Sequence, residues 1–393
     1  MEHQLLINDI EEMNSSKDWR NALKKPPAYR IINRTFGFRN RQQLYKMLYY
    51  LGIISVIGLF LYYTLPTFDL SSRSNGYNST YPLTAPVVAN HLYTYRIGII
   101  ADLDTDSLLP NEKNTWYSLF KKGYLTYDTK SQNIIVSWDK TGPITLKNNY
   151  ALKGRGMELS ELVVYDGKLL TFDDRTGLVF EIAGSNIIPW VLLMDGNGKN
   201  SKGFKTEWAA VKDEKLYLGS MGKEWTTATG KFENYNPMWV KVVTKEGAVS
   251  HLNWVEEYKN IRKVIGIEWP GYMIHESGLW SDLHQKWFFL PRRCSKERYD
   301  EVADERRGCS VLINADAAVK VVRIVKIPNE HITRGFSSFK FLPNTNDEVI
   351  VALRTEELEG KTRTFITSFT IHGQVLLEDL LIADNKYEGF EFI

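Results

Sequence analysis

From about Tyr93 onward the chain is written in short apolar runs separated by polar turn signals. YRIGIIADL, ELVVYDGKLLTF, LVFEI, AAVKDEKLYLGS, KWFFLP and DEVIVALR show the pattern. Runs of this kind around Asp-Gly or Asp-Glu-Lys turns predict β-hairpins. No long amphipathic helical period interrupts them. About 300 residues of strand exceed a single sandwich, which directs attention to internal repeats. One is present. Ser160 opens S-ELVVY-DGK-LLTF-DDRTG, Glu207 opens E-WAAVK-DEK-LYLG-SMGKEW, Glu276 opens E-SGLWS-DLHQK-WFFL-PRRCS, and Ser337 opens S-SFKFL-PNTNDE-VIVAL-RTEE. The starts are 47, 69 and 61 residues apart, and Glu388 follows 51 residues later in E-GFEFI, a first strand without a second. The missing partner is Tyr95–Ala101, which has the form of a second strand running into Asp102-Leu103-Asp104. Pairing the two closes a ring and removes the sheet edges. The fold class expected is therefore all-β, a five-bladed β-propeller over residues 93–393.

Ahead of it, Met47 to Leu65 is a 19-residue stretch without a charge, flanked by Tyr49, Tyr50, Tyr62 and Tyr63. That length and those flanks predict one transmembrane helix. Arg30, Arg34, Arg39, Arg41 and Lys46 precede it, so the positive-inside rule puts residues 1–46 in the cytosol and the propeller in the lumen. The run begins too late for a cleaved signal peptide and reads as a type II signal anchor. Residues 66–92, rich in Ser, Asn, Thr, Pro and Tyr, read as a stalk, and Asn78-Ser79-Thr80 is a glycosylation sequon on the lumenal side. Residues 1–46 hold nine Lys+Arg and five Asp+Glu, a surplus of four, so the rest of the +2 chain is near −2. This excludes nucleic-acid binding by the main domain. With two cysteines, Cys294 and Cys309, the sequence offers neither a zinc framework nor a dense disulfide scaffold; either one disulfide or two free thiols fits the count. GxxxxGK[ST], GxGxxG and HExxH are all missing, and Gly154-Arg155-Gly156 is too short for a phosphate loop.

The chemistry follows from the repeat. The residues opening the first strands recur at one height around the axis: Ser160, Glu207, Glu276, Ser337 and Glu388. Three like charges at close range call for a cation. An all-oxygen donor set without His or Cys selects Ca2+ or Mg2+ over zinc, and a wide five-fold ring favours Ca2+. Loops following the second strands return to the same face. They carry Asp102 and Asp104; Asp173, Asp174 and Arg175; Lys223, Glu224 and Trp225; Arg292 and Arg293; Arg354 and Glu356. Loops entering the first strands add Lys153, Arg155, Glu158, His275 and Arg334. Arginine forks suit phosphate oxygens and carboxylates orient or deprotonate water, while Trp225 or Trp116 offers a face to a base.

IADLDTDS, NTWYSLFKKGYLT, GRGMELSELVV, DDRTG, GKEWTT, IHES, WFFLPRR, GFSSFKFLPNT and YEGFEFI together resemble the calcium-activated nucleotidase (apyrase) family, closest to its vertebrate soluble members. The resemblance covers nearly all of residues 93–393; the tail and the apolar span match in layout more than in sequence. It implies a five-bladed propeller with a central Ca2+, held by Ser160, Glu207, Glu276, Ser337 and Glu388. It further implies hydrolysis of UDP and GDP, with ADP poorer, an endoplasmic reticulum or Golgi setting, a released soluble form and a homodimer. Cys294 and Cys309 stand outside the family's signature. In the expected reaction Asp102, Asp104, Glu158, Asp173 and Arg292 are the catalytic group, and Lys153, Arg155, Arg175, Glu224, Trp225 and Arg293 bind the nucleoside diphosphate. A calcium-stabilised propeller glycosidase and a non-catalytic binding module are the alternatives; fold alone does not separate the three.

Overall fold

The computed structural model describes residues 41–64 and 76–393 apart from 329–330, with side chains described over 45–56 and from 76 onward. The chain divides into two units, 1–75 and 76–393. In the first, a helix runs over Arg41–Thr64 and so through most of the expected 47–65 span. Residues 1–40, with Arg30, Arg34 and Arg39, and residues 65–75 of the expected stalk lie outside the described residues. Among the described residues, no helix is long and apolar enough to cross a membrane.

Unit 76–393 is a five-bladed β-propeller built from one larger sheet and four antiparallel four-stranded sheets. Each of the four complete blades is a meander: Leu159–Tyr165 to Asn186–Leu192, Trp208–Lys212 to Val249–Asn253, Tyr272–Ser281 to Val322–Lys326, and Arg334–Phe341 to Val375–Ala383. The remaining blade is composite. Its inner strand is Tyr387–Phe392, antiparallel to Leu92–Ala101, with Ile97 opposite Phe392 and Ile99 opposite Phe390. The ring closes where the repeat places the closure, because both strands carry apolar residues on the face that packs between blades: Ile97, Ile99, Phe390 and Phe392 share one core cluster with Leu353 and Ile366 of the preceding blade.

The layers are held by a shell of buried aromatics between blades, where Trp208, Trp254, Trp280 and Trp287 share one cluster with Phe289 and Tyr258. Ring faces and edges meet there at 5.3–6.1 Å, the tilted and edge-on spacing that aromatic quadrupoles favour. At the axis the inner strands must approach closely. Gly389 makes this possible: a Cβ there would lie 2.6 Å from the backbone carbon of Glu161 and the nitrogen of Leu162.

Two features differ from the sequence reading. The stretch expected as stalk is joined to the propeller from its middle onward: Tyr77 packs its ring 5.6 Å from that of Tyr165, Tyr81 donates its hydroxyl to Glu391 (2.9 Å), and Val87–Ala89 pairs with the start of Leu92–Ala101. A short amphipathic helix, Val255–Lys263, also follows the second complete meander, burying Tyr258, Ile261 and Arg262 and leaving its acidic first turn outside. Cys294 and Cys309 are joined as a disulfide, with Cα atoms 5.4 Å apart, closing the charged loop between the second and third strands of the third meander.

Candidate active site on the propeller axis

The inner strands bring the five repeat-opening residues to the axis. Ser160 Oγ donates to the carbonyl of Thr206 (2.5 Å), which places it beside Glu207 of the next blade. Ser337 Oγ faces the carbonyl of Tyr387 (3.5 Å), beside Glu388. Arg292 bonds both Glu276 and, at 2.9 Å, Glu388. Glu207 and Glu388 are 3% and 4% exposed. Burial pushes Glu207 up to about 8; Lys205 opposes this, and the Glu276 and Asp174 carboxylates add to it. Glu388 is also raised well above its ordinary value, again by burial first, with Lys386 opposing and Glu276 and Asp102 adding. The carboxylates therefore repel one another across the ring at a cost that the surrounding cations only partly offset.

Above the ring a second acidic group forms. Carboxylate oxygens of Asp102, Glu158 and Asp174, one from each, lie within 4.8 Å of one another, and all three residues are buried. Arg155 clamps Glu158 with two bonds of 2.6 Å, and Arg175 adds a third at 2.7 Å. Burial still leaves Glu158 above its ordinary value. Asp102 is also desolvated, but Lys386 at 2.7 Å outweighs the burial and holds it low. Asp174 keeps one buried oxygen, Oδ1, without a hydrogen-bond donor.

The two layers are joined by cations. Lys205 bonds both Asp174 and, at 2.6 Å, Glu207. Lys386 reaches Asp102 (2.7 Å), Asp104 (2.9 Å), Glu357 (3.3 Å) and Glu388 (3.5 Å). Arg292 reaches Glu357 at 3.1 Å besides the two ring glutamates, and Arg292 with Lys386 holds Glu357 well below the carboxylate range although burial acts to raise it. The result is one connected network in which Asp102, Asp104, Glu158, Asp174, Glu207, Glu276, Glu357 and Glu388 meet Arg155, Arg175, Lys205, Arg292 and Lys386. Counted as ionised, eight carboxylates against five cations leave an excess of three, which the raised Glu207 and Glu388 relieve by holding protons until a cation replaces them. A divalent cation reduces it to one, and an all-oxygen donor set suits a hard ion, so the residues present fit calcium on charge and on donor type.

Several expected site residues serve elsewhere. Asp173 is fully buried and its carboxylate accepts the backbone N–H groups of Met157 (2.9 Å), Arg175 (3.0 Å) and Thr176 (3.4 Å). It fixes the turn that presents Asp174 and Arg175 rather than facing the site, and burial pushes it up to about 7. Glu224 is paired with Arg262 of the short helix through two bonds, 2.7 and 2.8 Å, with both side chains 3% exposed. Arg293 is 2% exposed, bonded to the Thr333 carbonyl and 3.7 Å from Asp304. Lys153 is exposed at a positive φ of 53°, and Trp225 lies under the ammonium of Lys202, 4.0 Å from the ring centroid. His275 is buried without a hydrogen-bond partner at either ring nitrogen and is driven down to about 3 by desolvation and then by Arg262. Lys205, Lys386 and Glu357 were missed. The first two carry a signal that the repeat holds: each stands two residues before its blade's ring residue, as does Glu158 before Ser160.

A closed propeller with a buried carboxylate-and-cation centre on its axis is the class that fold and site define. The sequence profile of the apyrase family matches residues 103–393. Soluble calcium-activated nucleotidase 1 of Rattus norvegicus is 51% identical over 321 residues, covering 82% of this chain and 79% of the relative. Apyrase of Cimex lectularius is 46% identical, covering 86% and 96%, and apyrase apy-1 of Caenorhabditis elegans is 45% identical, covering 76% and 84%. This chain belongs to the apyrase family.

Proposed function

We propose that this chain is a calcium-dependent nucleoside diphosphatase, taking UDP and GDP in preference to ADP and releasing monophosphate and inorganic phosphate. Membership of the apyrase family supports hydrolysis of nucleotide phosphates. The observation that carries the rest is the excess of three carboxylates, in a buried network whose outer members are arginines. When bound, calcium supplies positive charge against the phosphate oxygens and the charge that develops on the leaving group. Ser160, Glu207, Glu276, Ser337 and Glu388 are the residues proposed to hold it. Arg155 and Arg175 keep Glu158 fixed and leave their outer N–H groups for the terminal phosphate. Asp102, Glu158 and Asp174 form a pocket for the attacking water, with Asp174 Oδ1 as the acceptor still lacking a donor. The glycosidase alternative calls for two carboxylates free to exchange protons; in this centre Asp102, Glu158, Asp174 and the ring glutamates each carry a cation partner.

The test is colorimetric phosphate release from UDP, GDP and ADP by the purified chain with calcium and with EGTA. Calcium-dependent release, fastest from UDP or GDP, is expected; equal rates with EGTA, or no release from any diphosphate, overturns the reading. We further propose a type II, lumen-facing protein of the endoplasmic reticulum or Golgi that forms a homodimer and supports glycosylation by removing UDP. The disulfide supports the oxidising compartment, and Asn78 of the sequon is exposed. Protease protection in sealed microsomes tests the topology: digestion of the propeller from outside would reverse it.

A further inference from the structure

Every ring glutamate is bonded to a cation of the chain itself. Glu207 holds Lys205, Glu388 holds Lys386 and Arg292, and Glu276 holds Arg292. The two lysines have the same design. Each stands two residues before a ring glutamate, each is largely buried, and each touches one carboxylate of the ring and one of the upper acidic group: Glu207 and Asp174 for Lys205, Glu388 and Asp102 for Lys386. Of the upper group they share, Glu158 and Asp174 flank the first two strands of the blade between them and Asp102 follows the second strand of the composite blade, while Arg155 and Arg175 hold Glu158. An ammonium is a compact point charge on a flexible stem, so it changes partners by small rotations.

We infer that Lys205 and Lys386 are transferable counter-ions: they neutralise the ring while it lacks a metal, and on metal uptake they are released to bind the terminal phosphate of a nucleoside diphosphate. This inference rests on the proposed diphosphatase reading and adds the means by which calcium switches it on. Lys205 contacts Glu207 and Lys386 contacts Glu388, so both ammonium groups compete with any cation entering the ring. When the ring carboxylates are shared with a divalent ion, Lys205 keeps Asp174 and Lys386 keeps Asp102, Asp104 and Glu357, beside the place where the phosphate is expected. Calcium and the diphosphate then favour one another's binding through these two residues, over and above any direct contact between them, and by linkage the effect is reciprocal.

The experiment measures binding, not turnover. Titration calorimetry on the full chain follows calcium, and separately a methylene-bridged, non-hydrolysable nucleoside diphosphate with and without calcium, for the wild type, Lys386→Met, Lys205→Met and the charge-keeping Lys386→Arg. Removing an internal competitor a few ångströms from the ring tightens calcium, by roughly tenfold or more in each Met variant. The analogue weakens by a similar factor when calcium is present and changes little when it is absent; Lys386→Arg stays near wild type in both. A lysine that merely props up the ring gives the opposite sign, with calcium binding weakened in both Met variants. That result overturns the inference, as does a calcium-bound analogue affinity that the Met variants leave unchanged. If Lys386→Met does not fold, Lys205→Met carries the same test. Wild-type chain that lacks calcium-stimulated diphosphate hydrolysis defeats the functional reading itself; wild type that hydrolyses while the Met variants fail to tighten calcium defeats only this inference.

Discussion

Glu207→Gln separates the roles of charge and shape on the axis. The substitution keeps the volume and removes one charge from a carboxylate that burial, with Glu276 and Asp174, has pushed up to about 8. A carboxyl whose folded value is raised binds its proton more tightly in the folded state. It therefore contributes stability at low pH that is lost as pH rises from the ordinary carboxylate range through about 8. An amide carries no such loss. In calcium-free buffer at the alkaline end of that window, Glu207→Gln is thus expected to melt no lower than wild type, provided Lys205 keeps Asp174. Calcium reverses the order. At a hundredfold excess over its dissociation constant, a ligand that binds only the folded state adds about 2.7 kcal/mol. For a domain of this size that is roughly 4 °C of melting temperature. The variant, with one ring donor weakened, should lose most of that shift and most calcium-dependent phosphate release with it. Differential scanning calorimetry in EGTA and in excess calcium, on both proteins, makes the comparison. A variant that melts several degrees low in EGTA yet keeps the full calcium shift would show that Glu207 is a structural partner of Lys205 and that the ion sits elsewhere.

Other expectations are narrower. Glu224→Gln leaves Arg262 buried with half a partner and should cost about 3 kcal/mol or more of stability, seen in urea melts, while KM for the diphosphate changes little. Replacing Cys294 and Cys309 together by Ser frees a loop spanning 15 residues and should lower stability by about 3 kcal/mol or less, measured against wild type under non-reducing conditions. His275 is neutral throughout the physiological range, being held near 3, so the pH–rate profile of a folded His275→Gln variant should overlay that of the wild type between pH values of about 5 and 8. Gly389→Ala puts a methyl group against the Glu161–Leu162 backbone and should open the ring, read as loss of the cooperative melt.

The blade count and the closure were legible because a propeller repeats its pattern once per blade, and a repeat is visible without knowing any contact. The loops were less legible for the same reason inverted: they are where the blades differ. Asp173 and Asp174 are adjacent, and only the turn geometry decides that the first ties down backbone and the second faces the site. Glu224 looked available because its partner, Arg262, stands 38 residues later on a short helix that the strand pattern did not foreshadow. Lys205 and Lys386 were readable in principle, since both precede a ring glutamate by two positions, but lysines beside turns are usually solvated and nothing in the sequence says that these two point inward.

The closing strand has a consequence for biogenesis. Tyr387–Phe392 supplies both the inner strand of the composite blade and Glu388, one of the three glutamates proposed to hold the ion. It lies downstream of the four other blades. During synthesis those blades can pack as an open arc, but the arc has two bare edges and an incomplete ion cradle until the closing strand has left the ribosome and its tunnel. A nascent chain in that interval presents an unpaired edge of Leu92–Ala101 to any passing strand, so chaperone occupancy should fall once Tyr387–Phe392 has emerged and paired. A stop codon ahead of Tyr387 would leave the four complete blades with a ring that cannot seal.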